Sequence, residues 1–205
     1  MKANATDSAK VSDHSLRIAQ WVEQAQAGDQ GAFHRLVDHF QPEIFRMIYY
    51  RTRSKMDAED LTQDVFLRAY KNIGTIESPL VFRAWLYQIA VNRVRDHHRR
   101  QRVKSLVGMV SMDEDDFQET EAMAVAPQAA DHMARKDFWT RVRTMIAKLS
   151  RMEREVFLLR FFDQLSIKEI SATLTKNEST IKTHLYRALG KVKTAAEADR
   201  LWEGL

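Results

Sequence analysis

The sequence predicts an all-α protein of two small helical domains joined by a flexible acidic linker. Only six glycines and three prolines occur among 205 residues, and residues that favour helices are abundant. Apolar residues recur at helical spacing in two separate blocks of the chain. We therefore predict one domain over 16–102, the linker over 103–136 and a second domain over 137–196.

The charge pattern supports this division. The net charge is only +4, but residues 33–102 carry +5 and residues 137–196 carry +6, whereas residues 103–136 carry −4. The acidic segment contains Pro127 and lacks a helical apolar period, which is typical of a linker. Two basic helical blocks are therefore separated by an acidic connection.

The absence of cysteine excludes disulfide scaffolds, thiolate zinc sites and cysteine nucleophiles. No stretch approaches the roughly 20 apolar residues of a membrane span, and no signal-peptide segment is visible. We expect a cytoplasmic protein without membrane insertion, with a disordered extension over 1–15 and a tail over 197–205.

The first domain is predicted to contain three helices that share a core. Their apolar residues recur at helical spacing over three segments, 33–48, 61–73 and 82–94. A shorter fourth helix over 16–25 would precede them and end at Gly28. The loop after residue 73 contains Gly74 and Pro79, which separate the second helix from the third.

An acidic cluster opens the second of these helices and comprises Asp57, Glu59, Asp60 and Asp64. Asp57 suits the N-cap, and Asp60 and Asp64 share a helix face. Three interpretations remain open: capping, docking of a basic partner, or a carboxylate metal site. A metal-dependent catalyst would need convergent ligands from other elements, and no second acidic cluster accompanies this one in the block.

The third helix ends in a basic run from Asn92 to Arg102. This run indicates either a solvated helix end or a stripe that binds phosphates, and the second basic block favours the stripe. His97 and His98 are adjacent and point to different faces, which argues against a metal site. Trp85 falls on the apolar stripe, which favours a core residue, and the alternative is a ring that stacks on an unpaired base. Off that stripe, and better placed to meet a ligand, are Tyr87, Gln88, Val91 and Asn92.

The second domain has the pattern of a helix-turn-helix. Ser150 with Glu153 and Ser166 with Glu169 form two capping boxes, which mark two helix starts. Asn177 then caps a longer basic helix after a short turn. Its residues away from the core suit base edges and phosphates: Ser179, Thr180, Lys182, Thr183, His184, Tyr186, Arg187, Lys191 and Lys193.

Taken together, three motifs resemble the extracytoplasmic-function (group IV) sigma factors of bacterial RNA polymerase, within the sigma-70 superfamily. They are DAEDLTQDVFLRAY (57–70), FRAWLYQIA (82–90) with Asn92, and LSIKEI (165–170) followed by STIKTHLYR (179–187). They follow the family's order over nearly the whole chain. The first domain resembles sigma region 2 and the second resembles the helix-turn-helix of sigma region 4.

The resemblance implies that the helix over 57–70 docks on the β′ clamp helices of the polymerase core. The residues implied in docking are Asp57, Glu59, Asp60, Gln63, Asp64 and Arg68. It also implies that the loop 74–81 and the following helix read and open the −10 promoter element, with a base flipped into a pocket. The residues implied there are Ser78, Arg83, Tyr87, Gln88, Asn92, Arg93, Arg95, Arg99 and Arg100.

The same resemblance implies that the second domain reads the −35 element and that the β flap is part of the polymerase partner. Its implied DNA contacts are Ser179, Thr180, Lys182, Thr183, His184, Tyr186, Arg187 and Lys191. Many such factors are held inactive by an anti-sigma factor, so we expect such a partner. We expect no cofactor, metal or catalytic residue.

Two alternatives come from other classes of protein. One is a stand-alone regulator with a LuxR-type helix-turn-helix, which would bind DNA as a dimer without polymerase. The other is a metal-dependent nucleic-acid enzyme that uses Asp57, Asp60 and Asp64.

Overall fold

The computed structural model describes residues 3–106 and 144–198 of the chain. All regular secondary structure in these two ranges is helical, which confirms the predicted all-α class. The first range holds α1 (Ala3–Gln26), α2 (Gln30–Thr52), α3 (Lys55–Asn72), two 3₁₀ turns (Ile73–Thr75 and Pro79–Val81) and α4 (Phe82–Leu106). The second range holds α5 (Arg151–Phe161), α6 (Ile167–Leu174) and α7 (Glu178–Ala198).

The chain divides into two compact units, one built on α1 to α4 and the other on α5 to α7. Helix α4 continues past the predicted boundary at 102 to Leu106, and α7 continues past 196 to Ala198. The rest of the predicted linker lies outside the described residues. Among the described helices, none is long and apolar enough to cross a membrane.

Helix α1 is longer than the sequence predicted. It begins at Ala3, so the structure replaces the expected disordered extension over 1–15 with helix from that residue onward. None of its 24 residues is a glycine or proline that would interrupt a helix. The end of α1 is as predicted, because Gly28 adopts a φ of +97° and its N–H donates to the carbonyl of Ala25 at 3.1 Å.

Side-chain caps begin α2 and α3. Asp29 Oδ1 accepts a hydrogen bond from the N–H of Ala32 at 3.1 Å, and Ser54 Oγ accepts one from the N–H of Asp57 at 3.2 Å. Ser54 therefore takes the N-cap position that the sequence assigned to Asp57. Asp57 lies instead in the first turn of α3, where a carboxylate still favours the positive end of the helix dipole.

The core of the first unit lies among α1, α2, α3 and α4. Its largest fully buried side chains are Leu36, Phe40, Ile44, Met47, Ile48, Phe82, Leu86 and Tyr87. The rings of Phe40 and Phe82 lie 5.4 Å apart between centroids, which ties the start of α4 to the middle of α2. Burial of each such side chain stabilises the fold by about 1.5–3 kcal/mol.

The buried face of α4 differs from the predicted one. Tyr87 and Val91, predicted to lie off the apolar stripe, are buried, whereas Trp85, predicted to be in the core, is only half-buried. Tyr87 fits inside because its hydroxyl donates to Glu43 Oε2 at 3.4 Å and the guanidinium of Arg83 lies 5.4 Å from its ring centroid. A buried ring with a polar tip needs such a partner, and that partner comes from a different helix.

Both predicted capping boxes are present in the second unit. Ser150 Oγ accepts from the N–H of Glu153 at 3.4 Å, and Glu153 Oε2 accepts from the N–H of Ser150 at 2.8 Å. Ser166 and Glu169 form the same pair of hydrogen bonds at 3.2 and 2.8 Å. Helices α5 and α6 therefore begin at the residues that the sequence predicted.

The turn between α6 and α7 is also as predicted. Asn177 Oδ1 accepts from the N–H of Thr180 at 3.0 Å and caps α7, while Thr175 turns the chain at a φ of +51°. The buried face of α7 carries Ile181, Leu185 and Ala188. Leu189, the next residue, is exposed.

An ion pair links the start of α5 to α7. Lys191 Nζ donates to Glu153 Oε2 at 2.7 Å, and the Glu153 side chain is buried. The hydrogen bond from Lys191, together with the Ser150 N–H, lowers the pKa of Glu153 from 4.5 to about 2. Because the pKa is depressed in the folded chain, this interaction stabilises the fold above pH 4.5 and is lost as the pH falls from there towards 2.

We therefore expect Lys191→Met to destabilise the second unit by about 1–2 kcal/mol at pH 7, since it removes a hydrogen bond to a buried carboxylate. The difference from wild type should shrink below pH 4.5, where the carboxylate becomes protonated. Hydrogen exchange of the α5 and α7 amides measures this stability within the full chain. As a control, Lys182→Met breaks only an exposed pair with Glu178 at 3.8 Å and should change stability by less than about 0.5 kcal/mol. Equal effects of the two substitutions would contradict the structural role of Lys191.

Candidate nucleic-acid and partner interfaces

The outer face of α3 carries most of the residues predicted to dock on a partner. Glu59, Asp60, Gln63 and Arg68 are exposed there. Asp64 is half-buried, and it accepts from Arg68 Nε at 3.3 Å one helical turn away. The face therefore presents carboxylate and amide groups in a row, which suits a basic or polar partner surface.

An apolar groove runs between α2 and α3, beside this row. Its volume is about 600 Å³, and its lining includes Phe33, Val37, Phe45, Phe66, Leu67 and Tyr70. Phe33 and Tyr70 meet edge to face at a centroid distance of 5.0 Å and form one end of the groove. Glu59 and Gln63 also line it, so the groove and the polar row form one continuous surface.

Sequence reasoning missed the apolar members of this surface. Met56, Leu67 and Tyr70 are among the exposed large hydrophobic side chains of the described residues. Leu67 and Tyr70 lie four and seven residues after Gln63, so both fall on its side of the helix. The sequence does contain a signal for them, because Leu67 and Tyr70 follow the polar residue Gln63 at helical spacing and so extend the predicted docking face.

Ion pairs join the inner side of α3 to α4. Arg93 Nε lies 2.5 Å from Asp64 Oδ2, and Arg93 Nη1 donates to Asp96 Oδ2 at 3.4 Å. His97 Nε2 lies 3.7 Å from Asp57 Oδ2. Arg93 is buried, so little of its side chain is open to the DNA contact that the resemblance implies, and that contact stays a prediction. Its charge is satisfied by carboxylates within the unit, which sequence spacing alone does not show.

The same ion pairs bear on the carboxylate metal hypothesis. Asp57 faces a histidine and Asp64 faces two arginines, whereas Asp60 is exposed. Over 3–106 and 144–198, no three histidine, aspartate or glutamate side chains converge in a way that could hold a metal ion. Asp57 and Asp64 are therefore engaged with basic side chains of their own unit.

The outer face of α4 is a mixed aromatic, polar and basic strip. Trp85, Gln88 and Ile89 are half-buried, and Asn92 is exposed one turn further on. The strip continues into the basic end of the helix, where Arg95 is half-buried and Arg99 and Arg100 are exposed. We call this surface, Trp85 to Arg100, the α4 strip. It combines a ring that can stack on a base with groups that can bind phosphates and base edges.

Two other residues implied in −10 contact lie at the start of α4. Arg83 Nη2 lies 3.1 Å from Glu43 Oε2, and this pair is partly buried against α2. Ser78 is half-buried and directly precedes the second 3₁₀ turn. Tyr87 is enclosed beneath Arg83, so its predicted place on the exposed face is wrong.

Helix α7 presents its N-terminal half to solvent. Exposed side chains there are Ser179, Lys182, Thr183, Tyr186 and Arg187, while Thr180 and His184 are half-buried. Thr183 Oγ1 donates to the carbonyl of Ser179 at 2.9 Å, one turn earlier. The mix of hydroxyls, an imidazole and long cations suits the base edges and phosphates of a major groove.

His184 and Lys191 stand apart within this set. His184 Nδ1 is buried and makes no hydrogen bond, so Nε2 is the ring nitrogen that remains for an external partner. Lys191 makes its ion pair with Glu153, as described above, which uses its charge inside the unit. Both remain predicted DNA contacts, but the structure gives them different surroundings from Lys182 and Arg187.

The second unit also carries an apolar patch at the end of α5. Phe157 lies 4.8 Å from Phe161 and 6.5 Å from Phe162 between ring centroids. Phe161 is exposed, and the other two rings are half-buried. The patch therefore presents one exposed ring, Phe161, beside two half-buried rings.

Comparison with known families matches both units. The family model for sigma-70 region 2 matches residues 36–103, and the model for sigma-70 region 4 matches residues 139–192. The chain belongs to the extracytoplasmic-function sigma factors. The first match contains the α4 strip and the part of the groove from Val37 onward, and the second contains α5 to α7 up to residue 192.

Two curated relatives agree with this membership. This chain is 36% identical over 176 residues to the ECF RNA polymerase sigma factor BldN of Streptomyces coelicolor. The aligned region covers 85% of this chain and 64% of the relative. The chain is also 30% identical over 180 residues to the ECF RNA polymerase sigma factor SigW of Bacillus subtilis. That aligned region covers 84% of this chain and 92% of the relative.

Solved structures show the same fold. The structure of CnrH in complex with the cytosolic domain of CnrY matches with a TM-score of 0.65 at 24% identity, over 89% of this chain and 99% of that one. The sigma factor RpoE in complex with the anti-sigma factor NepR from Bartonella quintana matches with a TM-score of 0.58 at 22% identity, over 82% of this chain and 98% of that one.

The buried position of Arg93 gives a prediction for the sigma factor. Arg93→Met keeps the volume but leaves Asp64 without its inner partner, so we expect the first unit to lose about 1–3 kcal/mol of stability. Hydrogen exchange of α3 and α4 amides should reveal this loss in the absence of DNA. Arg99→Met on the same helix removes an exposed pair with Asp96 and should cost less than about 0.5 kcal/mol. Unchanged exchange in Arg93→Met, together with weaker DNA binding, would contradict a structural role.

Proposed function

We propose that this chain gives a bacterial RNA polymerase core its promoter specificity, with the first unit at the −10 element and the second unit at the −35 element. The observation that carries the proposal is the surface of α7. That helix packs one apolar face inside its unit and leaves Lys182, Thr183 and Arg187 exposed beyond a capped N-terminus. This is the arrangement by which the second helix of a helix-turn-helix enters a major groove.

Docking to the polymerase core is assigned to the outer face of α3 and the α2–α3 groove. The occupant we propose is an amphipathic helix of the β′ clamp, whose apolar side would fill the groove. Its basic or polar side would meet Glu59, Asp60 and Gln63, which border the groove on α3. Such a helix-in-groove contact joins apolar burial with charge complementarity.

Contact with the −10 element is assigned to the α4 strip and the loop 74–81. Trp85 is half-buried and can offer part of its ring to an unstacked base, while Gln88 and Asn92 can bond base edges. Arg99 and Arg100 would follow the phosphates. Arg83 and Arg93 would support this surface from within, through Glu43 and Asp64.

Two further partners complete the proposal. The aromatic patch of Phe157, Phe161 and Phe162 would contact the β flap of the polymerase, because it is apolar and lies on α5 rather than on the DNA-facing helix. An anti-sigma factor would cover the α2–α3 groove when the protein is inactive. The resemblance to sigma factors that have such regulators motivates this second partner.

Transcription with purified polymerase core on a genomic library tests the proposal directly. We expect initiation at a defined set of start sites only when both the core and this protein are present. Leu67→Arg, which places a charge on the groove rim, should weaken core binding at least about tenfold and reduce transcription accordingly.

Leu16→Arg is the matched control for Leu67→Arg. Leu16 is 57% exposed and Leu67 is 53% exposed, but only Leu67 lines the groove. Equal core affinity of the two variants would contradict docking at the groove. Dimeric, sequence-specific binding of promoter DNA without polymerase, in a gel-shift assay at stated salt, would favour the stand-alone LuxR-type regulator instead.

A second prediction concerns salt. Neutralising Lys182 or Arg187, each by substitution with Gln, should weaken the polymerase–promoter complex and lower the slope of log K against log salt by about one. Lys191→Gln should change this slope much less, because Lys191 is already paired with Glu153. Titration of complex formation between 50 and 200 mM salt measures all three slopes. A large slope change for Lys191→Gln alone would contradict the assignment of phosphate contacts to Lys182 and Arg187.

A further inference from the structure

Asp96 is an acidic residue within the basic end of α4. Over residues 92–104 the sequence holds six lysine or arginine residues, and Asp96 is the one aspartate or glutamate among them. Asp96 follows Asn92 by four residues and precedes Arg100 by four, so it lies on the same face of the helix as these two members of the α4 strip. A carboxylate therefore stands on a surface that is proposed to contact DNA, where it would repel phosphates.

Two arginines hold the Asp96 carboxylate in place. Its Oδ2 accepts from Nη1 of Arg93 at 3.4 Å, and its Oδ1 lies 3.2 Å from Nη2 of Arg99. The Arg93 side chain is buried and is also paired with Asp64, so it anchors one side of the carboxylate within the unit. The Arg99 side chain is 77% exposed, and the other side of the carboxylate draws this cation back towards the helix.

This arrangement weakens the attraction of phosphates in two ways. Asp96 partly neutralises the charge of Arg99, so less of that charge is available to a phosphate. The Asp96 side chain is also 38% exposed, which leaves a negative charge close to a DNA backbone that follows Arg99 and Arg100. Contacts to phosphates carry no sequence information, whereas contacts to base edges do. A carboxylate at this position therefore acts against the part of DNA binding that is independent of sequence.

We propose that Asp96 restrains sequence-independent binding of DNA to the α4 strip and thereby raises the promoter specificity of the sigma factor. Base-edge contacts through Gln88 and Asn92 would fix the register of a promoter strand, and one register can keep its phosphates clear of Asp96. Sequence-independent complexes take many registers, and many of these bring a phosphate close to the carboxylate. The repulsion then falls mainly on the wrong complexes. This inference rests on the proposed function, because it requires DNA on the α4 strip.

Binding of a random-sequence duplex to the full-length protein, without polymerase, tests the restraint. Asp96→Asn removes the negative charge and releases Arg99, so we expect the affinity at about 50 mM salt to rise about threefold to tenfold. The slope of log K against log salt should become steeper by about one, since one more phosphate is contacted. Fluorescence anisotropy of a labelled duplex between about 50 and 200 mM salt measures both quantities.

Three variants complete this measurement. Asp96→Gln is a second neutral variant and should show the same rise, whereas Asp96→Glu keeps the charge and should bind like wild type. Asp38 is exposed on α2, so Asp38→Asn makes the same change in net charge on another helix and should alter the affinity less than about twofold. Hydrogen exchange of α3 and α4 amides checks the fold of each variant. Unchanged affinity and slope in both neutral variants, or an equal rise in Asp38→Asn, would overturn the restraint.

Promoter selection is measured separately, with polymerase core present. The ratio of the affinity for a cognate promoter to that for a random duplex should fall at least about threefold with Asp96→Asn. A ratio equal to that of wild type would overturn the role in specificity, because the restraint would then act on both kinds of complex alike. If the wild-type protein with core does not prefer the promoter, the proposed function itself fails, and this result is distinct from a failure of Asp96 alone.

Discussion

The ion pair between Arg93 and Asp64 joins the two helices that carry both proposed interfaces of the first unit. Asp64 belongs to the helix that would dock on the polymerase, and Arg93 belongs to the helix that would lie against the promoter. A buried charge is costly unless it is paired, so the pair with Asp64 favours packing of α4 against α3. In that packing Tyr87 and Val91 face inward, while Gln88 is half-buried and Asn92 is exposed. The α4 strip therefore lies on the side of α4 that these internal contacts leave open.

Local features of the fold could be predicted from the sequence, and the α4 register could not. The capping boxes of Ser150 and Ser166 and the cap of Asn177 involve residues three apart, and local geometry decides them. Whether Tyr87 or Trp85 is buried depends instead on Glu43, which lies 44 residues before Tyr87 along the chain. The spacing of apolar residues predicts Trp85 in the core and Tyr87 on the surface, because it depends on local sequence alone and does not include the distant carboxylate of Glu43.

A similar distinction applies to the second unit. Sequence spacing placed Lys191 among the DNA contacts, since it is a cation on the outer side of a basic helix. Glu153 caps α5 and at the same time binds Lys191, so one carboxylate sets both the start of α5 and its contact with α7. The position of the recognition surface relative to its own unit therefore rests partly on this carboxylate. Lys182 and Arg187 are closer to the capped end of α7 and are exposed, so both remain predicted DNA contacts.

These internal pairs also change what the net charge of +5 over residues 33–102 means for DNA binding. Arg83 forms an ion pair with Glu43, and Arg93 forms one with Asp64, so these two arginines add little to the attraction of a phosphate backbone. The remaining cations of α4 lie at its C-terminal end, where Arg99 and Arg100 are exposed. Arg102 and Lys104 are exposed at the same end, so electrostatic attraction of the unit to duplex DNA would be concentrated there. In the proposed function the polymerase holds both units on one promoter, because each unit alone supplies only part of the contact.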